Sequence, residues 1–215
     1  GRVVRAVVRA ADPYLSIPAR EAWTAILRAY VVIGIEHILG GLDHLLFVAG
    51  LLLLVRTRRL LIETITAFTV GHSITLSLAV LDVVRLPSGP IELLIACSVF
   101  WLAVELARDP TARPSLVQRR PWIMALAFGL LHGLGFASAL QEVGLPQADL
   151  PLALVAFNLG IEIGQLLFVA LCLSAAALLR RVPARWPAWA AQVPLYIMGT
   201  LAAFWCFERA AALIR

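Results

Sequence analysis

Lysine is absent from this chain: all 18 basic residues are arginine, and charged side chains of both signs make up only 14% of its 215 residues. A soluble domain of this size carries far more polar surface, so a water-soluble fold is excluded. Cysteine occurs three times, at Cys97, Cys172 and Cys206, inside apolar segments and without CxxC spacing. That pattern lacks a CxxC zinc or redox motif, fixes no redox compartment and reads as small core residues, a better reading for Cys97 than soft metal ligand. No alternation of about ten residues repeats along the chain, which argues against an outer-membrane barrel. A GxxxxGK[ST] loop is also missing, so any energy for transport must come from an ion gradient or a partner. The chain opens at Gly1 without a charged, apolar and cleavable leader, and is read as a processed or truncated product.

What is present is apolar. Hydrophobic residues account for 61% of the chain and the mean hydropathy is +0.91. Runs of about 20 apolar residues, the length that crosses a hydrocarbon core as helix, recur from end to end. The expectation is an all-α polytopic transmembrane bundle with six spans, near 33–55, 60–82, 90–108, 121–143, 150–180 and 188–210. Segment 21–32 is either an interfacial lead-in or makes a seventh span. Residues 1–20 are read as the end of an extracytoplasmic segment and 21–215 as the transmembrane domain. Prolines such as Pro87, Pro90, Pro121, Pro151 and Pro187 fall in or beside the connections, as helix breakers should.

Arginine sets the expected orientation. Loops one, three and five hold Arg56, Arg58, Arg59, Arg108, Arg113, Arg119, Arg120, Arg180, Arg181 and Arg185, against Arg85 alone in loops two and four. Ten against one places the odd loops in the cytoplasm and the N-terminus outside. The same placement explains the net charge of +5 as topology, so no nucleic-acid partner is expected.

Against this apolar background the histidines stand out. HILGGLDHLLF, residues 37–47, puts His37, Asp43 and His44 in the first span; TAFTVGHS puts His72 in the second, and AFGLLHGLGF puts His132 in the fourth. At about 1.5 Å of rise per residue, all four histidines of the chain fall in one slab between the midplane and the outer leaflet. FNLGIEIGQ in the fifth span brings Asn158, Glu162 and Gln165 toward the same level as an i, i+4, i+7 stripe, and Thr66, Thr69 and Ser73 form another beside His72. Gly129/Gly133 and Gly160/Gly164 are small-xxx-small pairs that permit close helix approach, and Gly40-Gly41 marks a place where the first helix can bend or open. Two short echoes appear, Ala67-Phe68-x-x-x-His72 with Ala127-Phe128-x-x-x-His132, and Gly34-Ile35-Glu36 with Gly160-Ile161-Glu162.

A single intramembrane histidine is more often a packing residue than a ligand. Four at one depth with carboxylates beside them form the imidazole and carboxylate donor set of borderline divalent metals. The expected metal-binding residues are therefore His37, Asp43, His44, His72, His132 and Glu162, with Asp43 either ligating or orienting a histidine. Asn158 and Gln165 are read as structural hydrogen-bonders. Glu63, Glu92 and Glu105 are read as interfacial.

These motifs, His37-x5-Asp43-His44 followed by LLFVAGLLL, AFTVGHSITL, FGLLHGLGFASAL and FNLGIEIGQ, resemble the HupE/UreJ membrane proteins over residues 30–170, most closely their second subgroup. The resemblance implies a nickel or cobalt permease of the bacterial inner membrane. Family members of the best-known branch carry two histidines and a glutamate on a later helix; here His132-Gly133 matches and Gly135 stands where the glutamate would be. The leading expectation is a transporter of a divalent transition metal (nickel, cobalt or zinc). The rivals are an intramembrane metal hydrolase using zinc, with Ser73 or Ser138 polarising a substrate, and a haem- or metal-bearing subunit of a membrane complex. Expected partners are the metal ion, the lipid bilayer, and a second copy of the chain or a membrane-complex subunit.

Overall fold

The computed structural model describes residues 22–109, 113–135, 149–181 and 187–214. Its elements are α1 (Trp23–Gly40), α2 (Leu42–Leu54), α3 (Arg58–Val80), α4 (Ser88–Leu106), the single turn α5 (Leu116–Arg119), α6 (Pro121–Gly135), α7 (Leu150–Leu179), a 3₁₀ turn (Ala188–Gln192) and α8 (Val193–Ile214). Among the described residues there is no strand. Five helices, α1, α3, α4, α7 and α8, are at least 18 residues long and apolar enough to cross a membrane, and α2 and α6 are shorter apolar helices. Their outward faces carry Leu53, Ile62, Val70, Leu94, Trp101 and Leu167, an apolar surface that water would not tolerate and lipid does. The chain is a multi-pass membrane protein.

Local chemistry sets the helix ends. Thr57 and Ser115 accept hydrogen bonds at their side-chain oxygens from Leu60 N at 3.3 Å and Gln118 N at 3.2 Å, capping α3 and α5. Pro121 opens α6 and Pro151 sits in the first turn of α7, where a missing N–H costs nothing.

The first expected span is corrected. Residues 33–55 do not form one helix: residues 21–32 belong largely to α1, which ends at Gly40, and α2 begins at Leu42. Gly41 takes extended backbone angles, φ −87° and ψ 99°, and that one residue interrupts the ladder. Residues 1–20, Ser138 and the final part of the fourth expected span (136–143) lie outside the described residues.

Two helix pairs give the bundle its shape. A side chain at Gly34 would collide with Phe157 O and one at Gly160 with Val31 O, while Gly164 faces Ile35 and Ile38. Residue numbers rise together on both helices, so α1 and α7 run parallel. Likewise a side chain at Gly71 would strike Leu126 O, at Gly129 Phe68 O and at Gly133 His72 O, so α3 and α6 run parallel. In both pairs backbones touch because a methyl group is missing. The two sequence echoes thus lie on helices packed against each other. α4 and α8 are antiparallel, with Gly89 beside Leu213 and Gly199 beside Ala103.

Apolar packing divides into two clusters. One joins Ile26, Tyr30 and Ile38 of α1, Leu76 of α3 and Phe157 of α7. The other joins Phe47 and Leu51 of α2, Ile65 and Phe68 of α3, Leu102 of α4 and Phe128 of α6. Along α3 His72 falls between them, and along the α1–α2 segment so does His44.

The thiols depart from expectation. Cys97 is exposed, Cys172 and Cys206 are half-exposed, and the Cys97 and Cys206 sulfurs lie 3.7 Å apart on the α4–α8 seam. None of the three fills the core. Glu105, expected at the interface, lies at the end of α4 and is buried within the protein, where Ser115 donates to its carboxylate and Arg108 stands 3.7 Å away.

Gly129→Ala is expected to force α3 and α6 apart at the Phe68 carbonyl and cost about 1–3 kcal/mol, the usual penalty of overpacking. Thermal unfolding of the detergent-solubilised variant measures it, and an unshifted midpoint would contradict the backbone contact.

Candidate metal-binding site

The break at Gly41 builds the site. On a continuous helix His37 and His44 would lie about 10 Å apart along the axis; across the break their ring centroids are 4.7 Å apart. Gly41 has no Cβ because one would press on His44 Nδ1 at 2.6 Å and on His37 O at 3.1 Å. Two helical bonds flank the interruption: Gly41 N–H donates to His37 O at 3.1 Å and Leu45 N–H to Gly41 O at 3.0 Å. Asp43, in the first turn of α2 where a carboxylate is favoured, accepts from His44 N–H at 2.9 Å.

The remaining rings arrive from α3 and α6. His72 lies 6.0 Å from His37 and 6.3 Å from His44, and His132 lies 5.0 Å from His44, all between centroids. Two imidazoles sharing one ion through metal–nitrogen bonds of about 2.1 Å have centroids roughly 5–6 Å apart, so these spacings suit a common ion. The rings are not yet a coordination sphere. Among the described residues no three His, Cys, Asp or Glu side chains are placed to hold an ion as they stand, and a shared ion would need the rings to turn.

Burial makes their polarity costly. His44, His72 and His132 are buried, His72 completely. Neither ring nitrogen of His72 has a hydrogen-bond partner among the described residues, nor has Nε2 of His44 or Nδ1 of His132. An unmet buried polar group costs about 1–3 kcal/mol, so such groups call for an explanation. His132 is oriented by Ser98. The Ser98 hydroxyl donates to Ile95 O at 2.7 Å, so its oxygen is free to accept from His132 Nε2, 3.2 Å away. In that arrangement the proton sits on Nε2 and the Nδ1 lone pair is left without a partner among the described residues.

Asp43 holds the layer's edge. Its Oδ1 lies 3.0 Å from His44 Nδ1 and its Oδ2 lies 3.8 Å from Arg209 Nη2. Glu162 sits differently. Its carboxylate accepts from Thr66 Oγ1 at 2.6 Å, six residues or about 9 Å along α3 from His72. The structure therefore gathers His37, Asp43, His44, His72 and His132 and gives Glu162 a separate hydrogen-bonded pair. Gln165 accepts from Thr69 Oγ1 at 3.0 Å and the Asn158 amide donates to Leu154 O at 2.8 Å, while Gln165 Nε2 and Asn158 Oδ1 have no partner among the described residues. The Ser73 hydroxyl donates to Thr69 O at 2.7 Å.

Phenylalanines close one side of the layer. Phe68 lies 5.3 Å from His132 and 6.1 Å from His72, and Phe47 lies 5.0 Å from Phe68 and 5.7 Å from Phe128. They stand between the histidines and the end of the bundle that carries Arg56 and Arg58.

The HupE / UreJ family model matches residues 15–209, nearly the whole chain. The chain belongs to the HupE / UreJ family. Comparison with curated proteins and with solved structures finds no match. In this HupE / UreJ chain, sequence reasoning missed Ser98 and Arg209. A lone hydroxyl on an apolar span gives little signal, but an arginine inside the last apolar run is the kind of intramembrane charge that marks function.

His132 is expected to show the Nε2-protonated tautomer in ¹⁵N NMR of histidine-labelled protein. Ser98→Ala should return it to a mixture of tautomers; an unchanged spectrum would remove Ser98 from the site.

Proposed function

We propose that this chain is an inner-membrane transporter of a divalent transition metal ion, nickel or cobalt, and that the four-histidine layer is where the ion sheds its water. The observation that carries the reading is His72: a fully buried imidazole with two unpartnered nitrogens, beside three other imidazoles from different parts of the chain. Neutral imidazole is the ligand form and suits nickel, cobalt and zinc alike. Asp43 would supply negative charge at the rim. Glu162, bonded to Thr66, would be the next carboxylate along the path, and beyond the phenylalanines a cavity of about 660 Å³ lined by Thr57, Glu105 and Gln118 would receive the ion.

The chain would cross the membrane six times, with α1 and α2 as one interrupted span. A broken helix with its two half-ends at a buried site is a recurrent transporter device. Antiparallel contacts support alternating directions: Phe47 meets Phe68 while His44 lies near His72 between α2 and α3, and Trp101 meets Phe128 while Gly135 faces Ile95 and Ile91 between α4 and α6. The arginine-rich ends would face the cytoplasm, as expected from the loops. The lone arginine of loop two, Arg85, is neutralised by Asp82.

Purified protein in proteoliposomes is expected to accumulate radioactive nickel or cobalt, and His72→Ala should weaken binding by at least about 100-fold, the upper range for losing even an outer-shell partner. Bound metal without flux would replace transport by metal-dependent hydrolysis, and a Soret band would put haem in its place. For orientation, in a background lacking the native cysteines, Arg85→Cys should react with an impermeant maleimide on intact cells and Arg58→Cys only after permeabilisation. The reverse pattern would invert the topology.

A further inference from the structure

We infer that Arg209 is a built-in counter-cation, which occupies Asp43 when no cargo is present and must be displaced electrostatically before a divalent ion can bind. This rests on the metal-transport reading above and concerns how that same site is regulated.

Three contacts define the residue. Arg209, on α8, places Nη2 3.8 Å from Asp43 Oδ2. Its Nη1 donates to the backbone carbonyl of Glu92 on α4 at 2.7 Å, and its guanidinium carbon lies 5.8 Å from the Trp205 ring centre. Asp43 therefore divides its two oxygens, one toward His44 and one toward Arg209. Both side chains keep about a fifth of their surface exposed, whereas the rings of His44, His72 and His132 are buried. The pair stands at the accessible edge of the layer, where an arriving ion meets it first.

The geometry is that of a partner ready to let go. A strong arginine–carboxylate pair is bidentate with nitrogen–oxygen distances near 2.8 Å; this one is single and long, and the guanidinium is held mainly by the Glu92 carbonyl and the tryptophan face. Those two contacts remain when Asp43 is taken by another cation, so Arg209 is not left bare.

Charge then decides which cations succeed. A monovalent ion replaces one positive charge on Asp43 with another and gains nothing. A divalent ion doubles the attraction and adds imidazole bonds, and in the low dielectric between the helices it repels the guanidinium strongly. Arg209 thus discriminates by valence. Because it belongs to α8, loading of the histidine layer is felt by the helix that packs along α4.

The test is titration of the full chain in detergent with nickel, cobalt and zinc ions in turn, with potassium as competitor. Arg209→Gln is expected to bind divalent ions about tenfold more tightly, a common size for coupling between sites, and to become sensitive to potassium. Asp43→Asn should weaken binding, and in its presence Arg209→Gln should have no further effect. Arg209→Lys, whose compact ammonium cannot span Asp43 and the Glu92 carbonyl together, should tighten binding by a smaller factor and serves if the glutamine variant fails to fold. Wild-type binding with unchanged or weaker affinity in the folded variants would make Arg209 a helix anchor only, leaving the transport reading intact. Absence of divalent-ion binding by the wild type would remove that reading, and this inference with it.

Discussion

A helix interrupted in a lipid environment must satisfy every backbone group it frees, since no water is at hand to do so. At Gly41 the chain keeps the interruption short: Gly41 N–H still reaches His37 O, Gly41 O already accepts from Leu45, and the Asp43 carboxylate takes the His44 amide. Across so short an interruption the two histidines fold toward each other. Were the ladder continuous, each would lie two turns from the other and the donor set would be spread along a span. The four-imidazole layer depends on this one feature of backbone geometry.

Glycine contacts supply the frame around it. α1 lies on α7 and α3 on α6 with carbonyls against Cα atoms, at Gly34, Gly71, Gly129, Gly133 and Gly160. In lipid there is little hydrophobic force to draw apolar helices together, so association rests on close van der Waals packing and weak backbone contacts. Gly133 packs against the carbonyl of His72 itself, so the same contacts that hold the bundle fix the height at which His72 and His132 enter the layer. The frame and the site are built by one set of residues.

Polarity is arranged by depth. Apolar clusters lie on both sides of the histidines, and the phenylalanines of one cluster touch the rings directly. That arrangement keeps the imidazoles dry, which raises the cost of their unmet nitrogens and strengthens any bond they make to a cation. The carboxylates are kept to the edges: Asp43 at the rim with Arg209, Glu162 farther along with Thr66, and Glu105 at the far end with Ser115 and Arg108.

The helical class and the meeting of His37, His44, His72 and His132 at one level of the bundle were legible from the chain alone. Each follows from local rules: hydropathy over a span, rise per residue, and the rarity of charge in lipid. The glycine pairs and even the weak point at Gly40-Gly41 were visible as patterns. Tertiary structure decided what those patterns meet. The break that closes His37 onto His44, the hydroxyl of Ser98 behind His132, the burial of Glu105, the approach of Cys97 to Cys206 and the pairing of Asp43 with Arg209 all join residues whose relation is set by helix rotation and neighbour choice. In an apolar run nearly every face looks alike, so periodicity gives almost no information about rotation; only backbone contacts at the glycines fix it, and with it which polar atoms share a pocket.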